Sequence, residues 1–359
     1  MTHRNADPDR IPLIVTDPAL QPDSTSAVSA KAGEIKALQP VYALVEQDFR
    51  AVNALIPERL TTDVDLVKEI GAYIIASGGK RLRPLLVLLT SGALGYNGKQ
   101  HIQLAAIIEF LHTATLLHDD VVDHSSMRRG KTTANELWGN APSVLVGDFL
   151  YSRAFQLMVE IGDMDIMAVL SNATNTIAEG EVMQLANVGR VDIDEAEYRE
   201  VIRCKTALLF EAATHTSALL TVGKESAAQV DAMRRFGQHF GLTFQLVDDW
   251  LDYAGDAQAM GKNVGDDLAE GKLTLPLIYA LKHAPRADRK IITEAIEAQS
   301  VEALPDVLRV VQSCGALDYT KSAARQEADL AKQCLDTIFR NPYVEALCTV
   351  TEYGTSRLY

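Results

Sequence analysis

Two clusters of aspartates occur inside otherwise apolar segments of the chain, LLHDDVVDH and QLVDDWLDY. The six acids are Asp119, Asp120 and Asp123 in the first cluster and Asp248, Asp249 and Asp252 in the second. In a helix, the first and last members of each cluster would lie one turn apart on the same face. Like charges held this close repel one another unless cations neutralise them. One such cluster is often a solvated helix face, but two with apolar flanks predict carboxylates that line a cavity.

Oxygen-only ligand sets favour Mg²⁺, with Mn²⁺ as the alternative, over zinc. The four cysteines (Cys204, Cys314, Cys334 and Cys348) are far apart and have no metal-ligand spacing. Mg²⁺ keeps several waters and commonly joins carboxylates to substrate phosphates. Two facing acid clusters therefore predict a diphosphate that is bound to the protein through metal ions.

Basic residues stand beside these acids and beside glycine turns. They are Lys80, Arg81 and Arg83 in GGKRLRP, Arg128, Arg129 and Lys131 after the first acid cluster, Lys205 followed by Thr206, and Lys262 and Lys272 around GKNVGDDLAEGK. Each of them alone reads as a solvated surface charge. Together, in a chain with a formal net charge of −14, they predict clamps for a second diphosphate that is held without metal.

The composition limits the class of protein. The chain has 359 residues, of which 47% are hydrophobic and 23% charged, enough to bury a large core. The negative net charge argues against a nucleic-acid partner, because no basic surface is available for a phosphate backbone. The separated cysteines indicate free thiols in a reducing compartment, and we see no signal peptide or membrane-spanning run, so we expect a cytoplasmic protein. Peripheral contact with a membrane stays open.

The hydrophobic pattern predicts an all-α fold, because apolar residues recur at helical rather than alternating spacing. The clearest predicted helices are Leu60 to Ala76, Ile102 to His124, Ala141 to Ile161, Ile166 to Ala186, Ala196 to Thr221, Ser226 to Tyr253, Leu275 to His283 and Ala323 to Phe339. Several are apolar nearly all round, which is typical of central helices in a large bundle. Residues 1–36 are rich in Asp, Pro, Ser and Thr and predict a mobile tail, with a single helical domain over 37–359.

Six motifs in order resemble those of the trans-isoprenyl diphosphate synthases, and most closely the long-chain bacterial members that make quinone side-chain precursors. The motifs are GGKRLRP, LLHDDVVDHSSMRRG, GEVMQL, Lys205-Thr206, GLTFQLVDDWLDY and GKNVGDDLAEGKLTLP. The likeness runs from about Leu38 to the C-terminus. It implies a helical bundle around a deep central cavity, a homodimer, and two acid clusters that face each other across the cavity mouth.

The resemblance also implies roles for individual residues. Asp119, Asp123 and Asp248 would be ligands of three Mg²⁺ ions on an allylic diphosphate, and Asp120, Asp249 and Asp252 would bind or orient the metal waters. Arg128, Lys205 and Lys262 would contact that diphosphate, with Lys272 as a further candidate. Lys80, Arg83, His112 and Arg129 would hold isopentenyl diphosphate. Lys205, Thr206 and Gln245 would steady the allylic cation.

The implied reaction is successive condensation of isopentenyl diphosphate onto an allylic diphosphate such as farnesyl or geranylgeranyl diphosphate. In the family, aromatic residues four and five positions before the first aspartate stop the chain early. Here these positions are the small residues Thr115 and Ala114. We therefore expect an open tunnel and a quinone side-chain precursor of octaprenyl to decaprenyl size, with Phe155 and Met158 as candidate floor residues. A shorter-chain farnesyl or geranylgeranyl synthase is the alternative.

Other readings of the same residues are weaker. A metal phosphohydrolase built on His112, His118, His124 and Asp119 would require further histidines that the sequence does not place in a matching pattern. A di-iron site from Glu109 and His112 lacks a second matching pair. Terpene cyclases typically lack a second acid cluster and GGKRLRP, and non-catalytic partner subunits usually lose one acid cluster. Both clusters are present here.

Overall fold

The computed structural model describes residues 38–128, 130–254, 264–356 and 358, and these residues are almost entirely helical. This confirms the all-α prediction. The α-helices are α1 Glu46–Arg59, α2 Asp65–Ala76, α3 Leu82–Ala93, α4 Gln100–Val122, α5 Ala134–Trp138, α6 Asn140–Ile161, α7 Met164–Asn187, α8 Glu195–Ile202, α9 Leu208–Val222, α10 Ala227–Ala254, α11 Asp266–Ala269, α12 Leu275–His283, α13 Arg286–Ala298, α14 Leu304–Ser313, α15 Ala316–Cys334 and α16 Pro342–Ser356. The predicted tail over 1–36 lies outside the described residues.

Three short elements interrupt the bundle. A π-helical turn, Arg203–Ala207, joins α8 to α9, and 3-10 turns occupy Lys224–Ser226 and Leu335–Thr337. An antiparallel ribbon follows α4, with β1 Met127–Arg128 paired to β2 Lys131–Thr132. Among the described residues, no helix combines the length and the apolar character needed to cross a membrane.

The buried side chains form two hydrophobic clusters. The larger joins α1, α3, α4, α6, α7, α9, α16 and the first half of α10. The smaller joins α8, the second half of α10 and α12 to α15. Helix α10 belongs to both, and it packs along α9 and α15. The acid clusters at the ends of α4 and α10 are therefore carried by helices with fixed positions in the core.

Two glycines on α10 allow this helix to approach the π-helical turn and α9 closely. A Cβ on Gly241 would lie 2.4 Å from Ala207 Cα, and one on Gly237 would lie 2.6 Å from the Phe210 carbonyl oxygen. No side chain could fit at either point, since real Cβ atoms do not approach other atoms this closely. The contact sets the second acid cluster beside the π-helical turn that carries Lys205.

Candidate active site

A cavity of about 470 Å³ lies between α4, α7, α8, α10 and residues 264–274. Its lining includes residues of both acid clusters, and it also includes Arg83, His112, Arg128, Lys205 and Lys272. The structure therefore brings together, around one cavity, residues that are up to 189 positions apart in the sequence (83 to 272). Leu116, Ile202 and Phe244 supply apolar wall.

The first acid cluster is divided by the end of α4. Asp119 and Asp123 are half-buried and line the cavity, whereas Asp120 is 4% exposed and accepts a 2.6 Å hydrogen bond from Arg128 Nε. Burial raises the pKa of Asp119, and the nearby charge of Lys205 opposes the shift. Asp120 therefore fixes the β1 arginine, while its two neighbours remain open to the cavity.

The second acid cluster is divided by burial alone, because all three of its acids contribute to the cavity wall. Asp248 is half-buried on the cavity wall, whereas Asp249 and Asp252 are buried. Asp252 accepts hydrogen bonds from the backbone N–H groups of Asp266 and Asp267, each 3.2 Å long, and so holds the first turn of α11. This pair of hydrogen bonds ties the start of α11 to the second acid cluster.

Asp249 is held by two side chains that also belong to the cavity wall. Its Oδ2 accepts a 2.5 Å bond from the Tyr198 hydroxyl, and its Oδ1 accepts a 2.6 Å bond from Gln245 Nε2. Burial, and next the charge of Asp267, raise the pKa of Asp249 well above its usual range, while these two hydrogen bonds oppose the rise. Its predicted role beside the metal stays a prediction.

The half-buried carboxylates Asp119, Asp123 and Asp248 have the chemistry of a Mg²⁺ site, because they offer hard oxygen ligands beside an open volume. Within the described ranges, no group of three or more His, Cys, Asp or Glu side chains forms a ready-made metal cage. A cation that keeps most of its waters and shares a substrate phosphate needs no such cage. The residues therefore fit a metal that arrives with a diphosphate.

The π-helical turn Arg203–Ala207 presents two of the predicted residues to the cavity. Lys205 Nζ donates a 2.7 Å hydrogen bond to Glu181 Oε2 on α7, and the Thr206 hydroxyl donates a 2.8 Å bond to Gln245 Oε1. The turn can lie against α7 because residue 180 is glycine, where a Cβ would be 2.8 Å from Cys204 Cβ. Single π-helical turns inside helices often mark functional positions.

Lys272 extends into the cavity from the residues that follow α11. Its Nζ lies 3.2 Å from Asp123 Oδ2 and is also paired with Glu270. With its amide oxygen turned toward the two ammonium groups, Gln184 lies 3.1 Å from both Lys205 Nζ and Lys272 Nζ. The two lysines therefore flank a common point on α7.

Two of the residues predicted to hold isopentenyl diphosphate, Arg83 and His112, form a second basic group on the cavity wall, whereas Lys80 lines a separate small cavity. Arg83 Nη1 lies 3.3 Å from His112 Nε2, and the Arg83 guanidinium lies 4.0 Å from the centre of the Phe210 ring. Lys80 Nζ is bonded to the Tyr353 hydroxyl on α16. Arg83 and His112 line the cavity that holds the acids, so the two predicted diphosphate sites share one space. The predicted ligands Arg129 and Lys262 lie outside the described residues.

The two residues predicted to set product length are placed differently. Thr115 is half-buried and lines the cavity, whereas Ala114 is fully buried in the core and is absent from the lining. The candidate floor residues Phe155 and Met158 also pack in the core and are not part of this cavity. The position of Thr115 on the cavity wall therefore agrees with its predicted effect on product length. The roles of Ala114, Phe155 and Met158 stay predictions.

The structure does not support the phosphohydrolase and di-iron hypotheses, because it places two of their proposed metal ligands in other contacts. His118 Nε2 lies 3.1 Å from the Val144 carbonyl oxygen and 3.3 Å from Asp148, so it packs against α6. Glu109 lies 3.8 Å from Arg81 Nε, as one member of an ion pair. Neither residue is placed as a ligand on the cavity wall.

Several polar residues of the cavity were missed by the sequence reasoning. They are Glu181, Gln184, Tyr198, Asp267 and Glu270. GEVMQL contains the first two, and VGDDLAEGK contains Asp267 and Glu270, so a closer reading of these motifs could have identified four of them. Tyr198 gives no local signal, because only the packing of α8 on α10 brings it to Asp249.

Comparison with known proteins supports this architecture. The polyprenyl synthetase family profile matches residues 64–313. An octaprenyl diphosphate synthase of Escherichia coli (strain K12) is 47% identical over 321 residues, which cover 89% of this chain and 99% of the relative.

Two solved structures superpose closely. A polyprenyl synthase from Caulobacter crescentus CB15, complexed with calcium and isoprenyl diphosphate, has a TM-score of 0.86 at 41% identity and covers 90% of this chain and 98% of that one. A decaprenyl diphosphate synthase from Rhodobacter capsulatus has a TM-score of 0.84 at 42% identity, with coverage of 89% and 98%. Fold and site together define an all-α prenyltransferase. The chain belongs to the polyprenyl synthetase family.

Proposed function

We propose that this protein is a long-chain all-trans polyprenyl diphosphate synthase that adds isopentenyl diphosphate repeatedly to farnesyl or geranylgeranyl diphosphate. The single observation that carries the proposal is the cavity in which half-buried carboxylates of both acid clusters face Lys205, Lys272 and the Arg83–His112 pair. The 47% identity of the chain to an octaprenyl diphosphate synthase supports a product of octaprenyl to decaprenyl length, suited to a quinone side chain.

The metal of this site is proposed to be Mg²⁺, three ions per site, with Mn²⁺ able to replace it. Asp119, Asp123 and Asp248 would hold it. When bound, it would neutralise negative charge on the allylic diphosphate. The calcium in the Caulobacter structure supports a divalent, oxygen-binding metal in this family. Asp120, Asp249 and Asp252 keep the surrounding elements in place through the hydrogen bonds described above.

The residues of the chain would divide the reaction between them. Lys205, Lys272 and Arg128 donate hydrogen bonds to the departing diphosphate, and Arg83, His112 and Lys80 hold the second diphosphate so that the isopentenyl double bond can reach the allylic carbon. The allylic carbon–oxygen bond breaks to leave an allylic cation, the isopentenyl double bond forms the new carbon–carbon bond with it, and the released diphosphate takes up the proton whose loss restores the alkene. Thr206 and Gln245 direct oxygen dipoles at the cation, while Leu116 and Phe244 exclude water.

A direct assay tests this function. The purified protein is incubated with farnesyl diphosphate, labelled isopentenyl diphosphate and Mg²⁺, and the extracted products are separated by chromatography. We expect a ladder that ends between octaprenyl and decaprenyl. A ladder that ends at geranylgeranyl would favour the shorter-chain alternative, cyclic hydrocarbons a cyclase, and no elongation a partner subunit.

We also propose a homodimer in the cytoplasm, with peripheral membrane contact during product release. Large apolar side chains are exposed on α6 and α7, including Leu145 and Val159, which are fourteen residues apart and lie on one face of α6. Such a row would be costly to leave in water, and a second copy would cover it. Sedimentation equilibrium should give a dimer mass, and Leu145→Glu with Val159→Glu should give a folded monomer.

A further inference from the structure

Tyr198 begins a continuous chain of hydrogen bonds that ends on the cavity wall. The Tyr198 hydroxyl donates to Asp249 Oδ2 at 2.5 Å, Gln245 Nε2 donates to Asp249 Oδ1 at 2.6 Å, and the Thr206 hydroxyl donates to Gln245 Oε1 at 2.8 Å. Tyr198 is 4% exposed and Asp249 is 3% exposed, so water has little access to the first bond. These four side chains come from α8, α10 and the π-helical turn.

The chain has one direction, because each member has limited donors and acceptors. The Gln245 amide presents its nitrogen to Asp249 and its oxygen to the Thr206 hydroxyl. The Thr206 hydroxyl has a single proton, and it donates this proton in the hydrogen bond to the Gln245 oxygen. Both lone pairs of the Thr206 oxygen stay available to accept, and this residue lines the cavity. An oxygen in this state stabilises positive charge.

We propose that Tyr198 is a positioning residue that fixes Asp249, and through it the Gln245 amide and the Thr206 oxygen, in the orientation that stabilises the allylic cation. This inference rests on the proposed function. Because the pKa of Tyr198 is raised well above its ordinary value, first by burial and then by Asp249, the hydroxyl stays a neutral donor in the working pH range.

Helix α8 does not depend on this hydroxyl for its place. Its N-terminus has a capping box, in which the Asp194 side chain accepts from the Glu197 backbone N–H and the Glu197 side chain accepts from the Asp194 backbone N–H. Arg199 Nη1 donates a 3.0 Å hydrogen bond to Glu327 on α15. Tyr198→Phe should therefore remove one hydrogen bond and leave the helix in position.

The test compares Tyr198→Phe with Tyr319→Phe. The control makes the same chemical change and also breaks a bond to α8, because the Tyr319 hydroxyl donates to Glu195 Oε2 at 2.8 Å, but at an exposed site. We measure the single-turnover rate of the first condensation and the affinity for an unreactive allylic thiodiphosphate. Tyr198→Phe should slow condensation roughly 10- to 100-fold with unchanged affinity and metal requirement, and Tyr319→Phe should change neither.

A double-mutant cycle shows whether Tyr198 acts through Gln245. In a Gln245→Leu background, where the chain is already broken, Tyr198→Phe should slow condensation less than about twofold. Equal slowing in both backgrounds would overturn the proposal, as would an unchanged rate in the single variant or a loss confined to metal or diphosphate affinity. If the unsubstituted enzyme elongates normally in each of these cases, only the role of Tyr198 fails. If it does not elongate at all, the proposed function fails first.

Discussion

Lys272 Nζ lies 3.2 Å from Asp123 Oδ2, although the two residues are 149 positions apart. The contact joins the end of α4 to the segment between α11 and α12, and so links the first acid cluster to the second half of the chain. The same ammonium is paired with Glu270. Burial lowers the pKa of Lys272, but Glu270 and Asp123 more than offset this, so the net pKa is raised and the side chain stays charged.

Lys272→Met should therefore weaken binding of the allylic diphosphate roughly 10- to 100-fold, which is what one charged hydrogen bond contributes. The measurement is calorimetric titration with an unreactive allylic thiodiphosphate in Mg²⁺ buffer. Lys282→Met on α12 is the control, because Lys282 is exposed in the last helical turn and outside the cavity lining. Equal affinities of the two variants for the thiodiphosphate would show that Lys272 does not bind the diphosphate.

Asp119→Ala and Asp248→Ala should each lower turnover roughly a hundredfold or more while the midpoint of thermal unfolding changes little. Both carboxylates are half-buried beside other acids, so their removal also relieves repulsion in the metal-free protein. Steady-state assays over a range of Mg²⁺ concentrations measure the first effect, and calorimetry measures the second. The control is Asp329→Ala, which removes an exposed acid on α15. Near-normal turnover in either cluster variant contradicts the metal assignment.

The stability of the metal-free protein should depend on the ionisation of Glu181. Burial, and next the charge of Asp119, raise the pKa of Glu181 to about 7, and Lys205 opposes the rise. From its ordinary pKa of 4.5 up to about 7, the folded state therefore holds a proton that the unfolded state has lost. The contribution of Glu181 to the free energy of unfolding is therefore fully present below pH 4.5 and is lost progressively as the pH rises to about 7.

The matched variant is Glu181→Gln, which cannot ionise. Relative to it, the wild-type free energy of unfolding should fall by on the order of 1–3 kcal/mol between pH 4.5 and 7, and should stay level above that. Urea unfolding of both proteins at several pH values, with chelator present, provides the measurement. Parallel curves for the two proteins would show that Glu181 does not titrate in this window.

Helical periodicity was sufficient to predict the long helices α4, α6, α7 and α10, but it did not single out the core helices α1, α3 and α16 or the breaks inside the predicted helices. The predicted helix Ala196 to Thr221 contains the π-helical turn Arg203–Ala207, and the predicted helix Leu60 to Ala76 begins only at Asp65. Apolar spacing does not distinguish a helical turn with one extra residue from a regular one. The β1–β2 ribbon was also missed, because two-residue strands carry no alternating pattern.

The candidate site was predictable where its residues stand in compact motifs. Asp119 and Asp248 could be proposed because each motif contains its own acids and apolar flanks. The separate orientations of Asp120 and Asp249 could not, since they depend on Arg128 and Tyr198, which packing brings in from other elements. Charge alone therefore identified the acids, and only the tertiary structure shows which of them are open to the cavity.

Product length provides the sharpest comparison of two adjacent residues. Thr115 lines the cavity one helical turn before Asp119, so a phenylalanine there would occupy space below the acid clusters. Thr115→Phe should shorten the product ladder toward prenyl chains of a few units, because the growing chain meets the ring. The assay is chromatography of products made from farnesyl and labelled isopentenyl diphosphates.

Ala114→Phe tests the neighbouring position with the same added ring. Ala114 is fully buried in the core, so the ring should overpack the helix interface and lower the free energy of unfolding by about 1–3 kcal/mol. Its folded fraction should still make long products if only Thr115 faces the growing chain. A shortened ladder from Ala114→Phe together with a normal ladder from Thr115→Phe would show that the chain passes on the other side of α4, and would place the length-determining wall against Ala114.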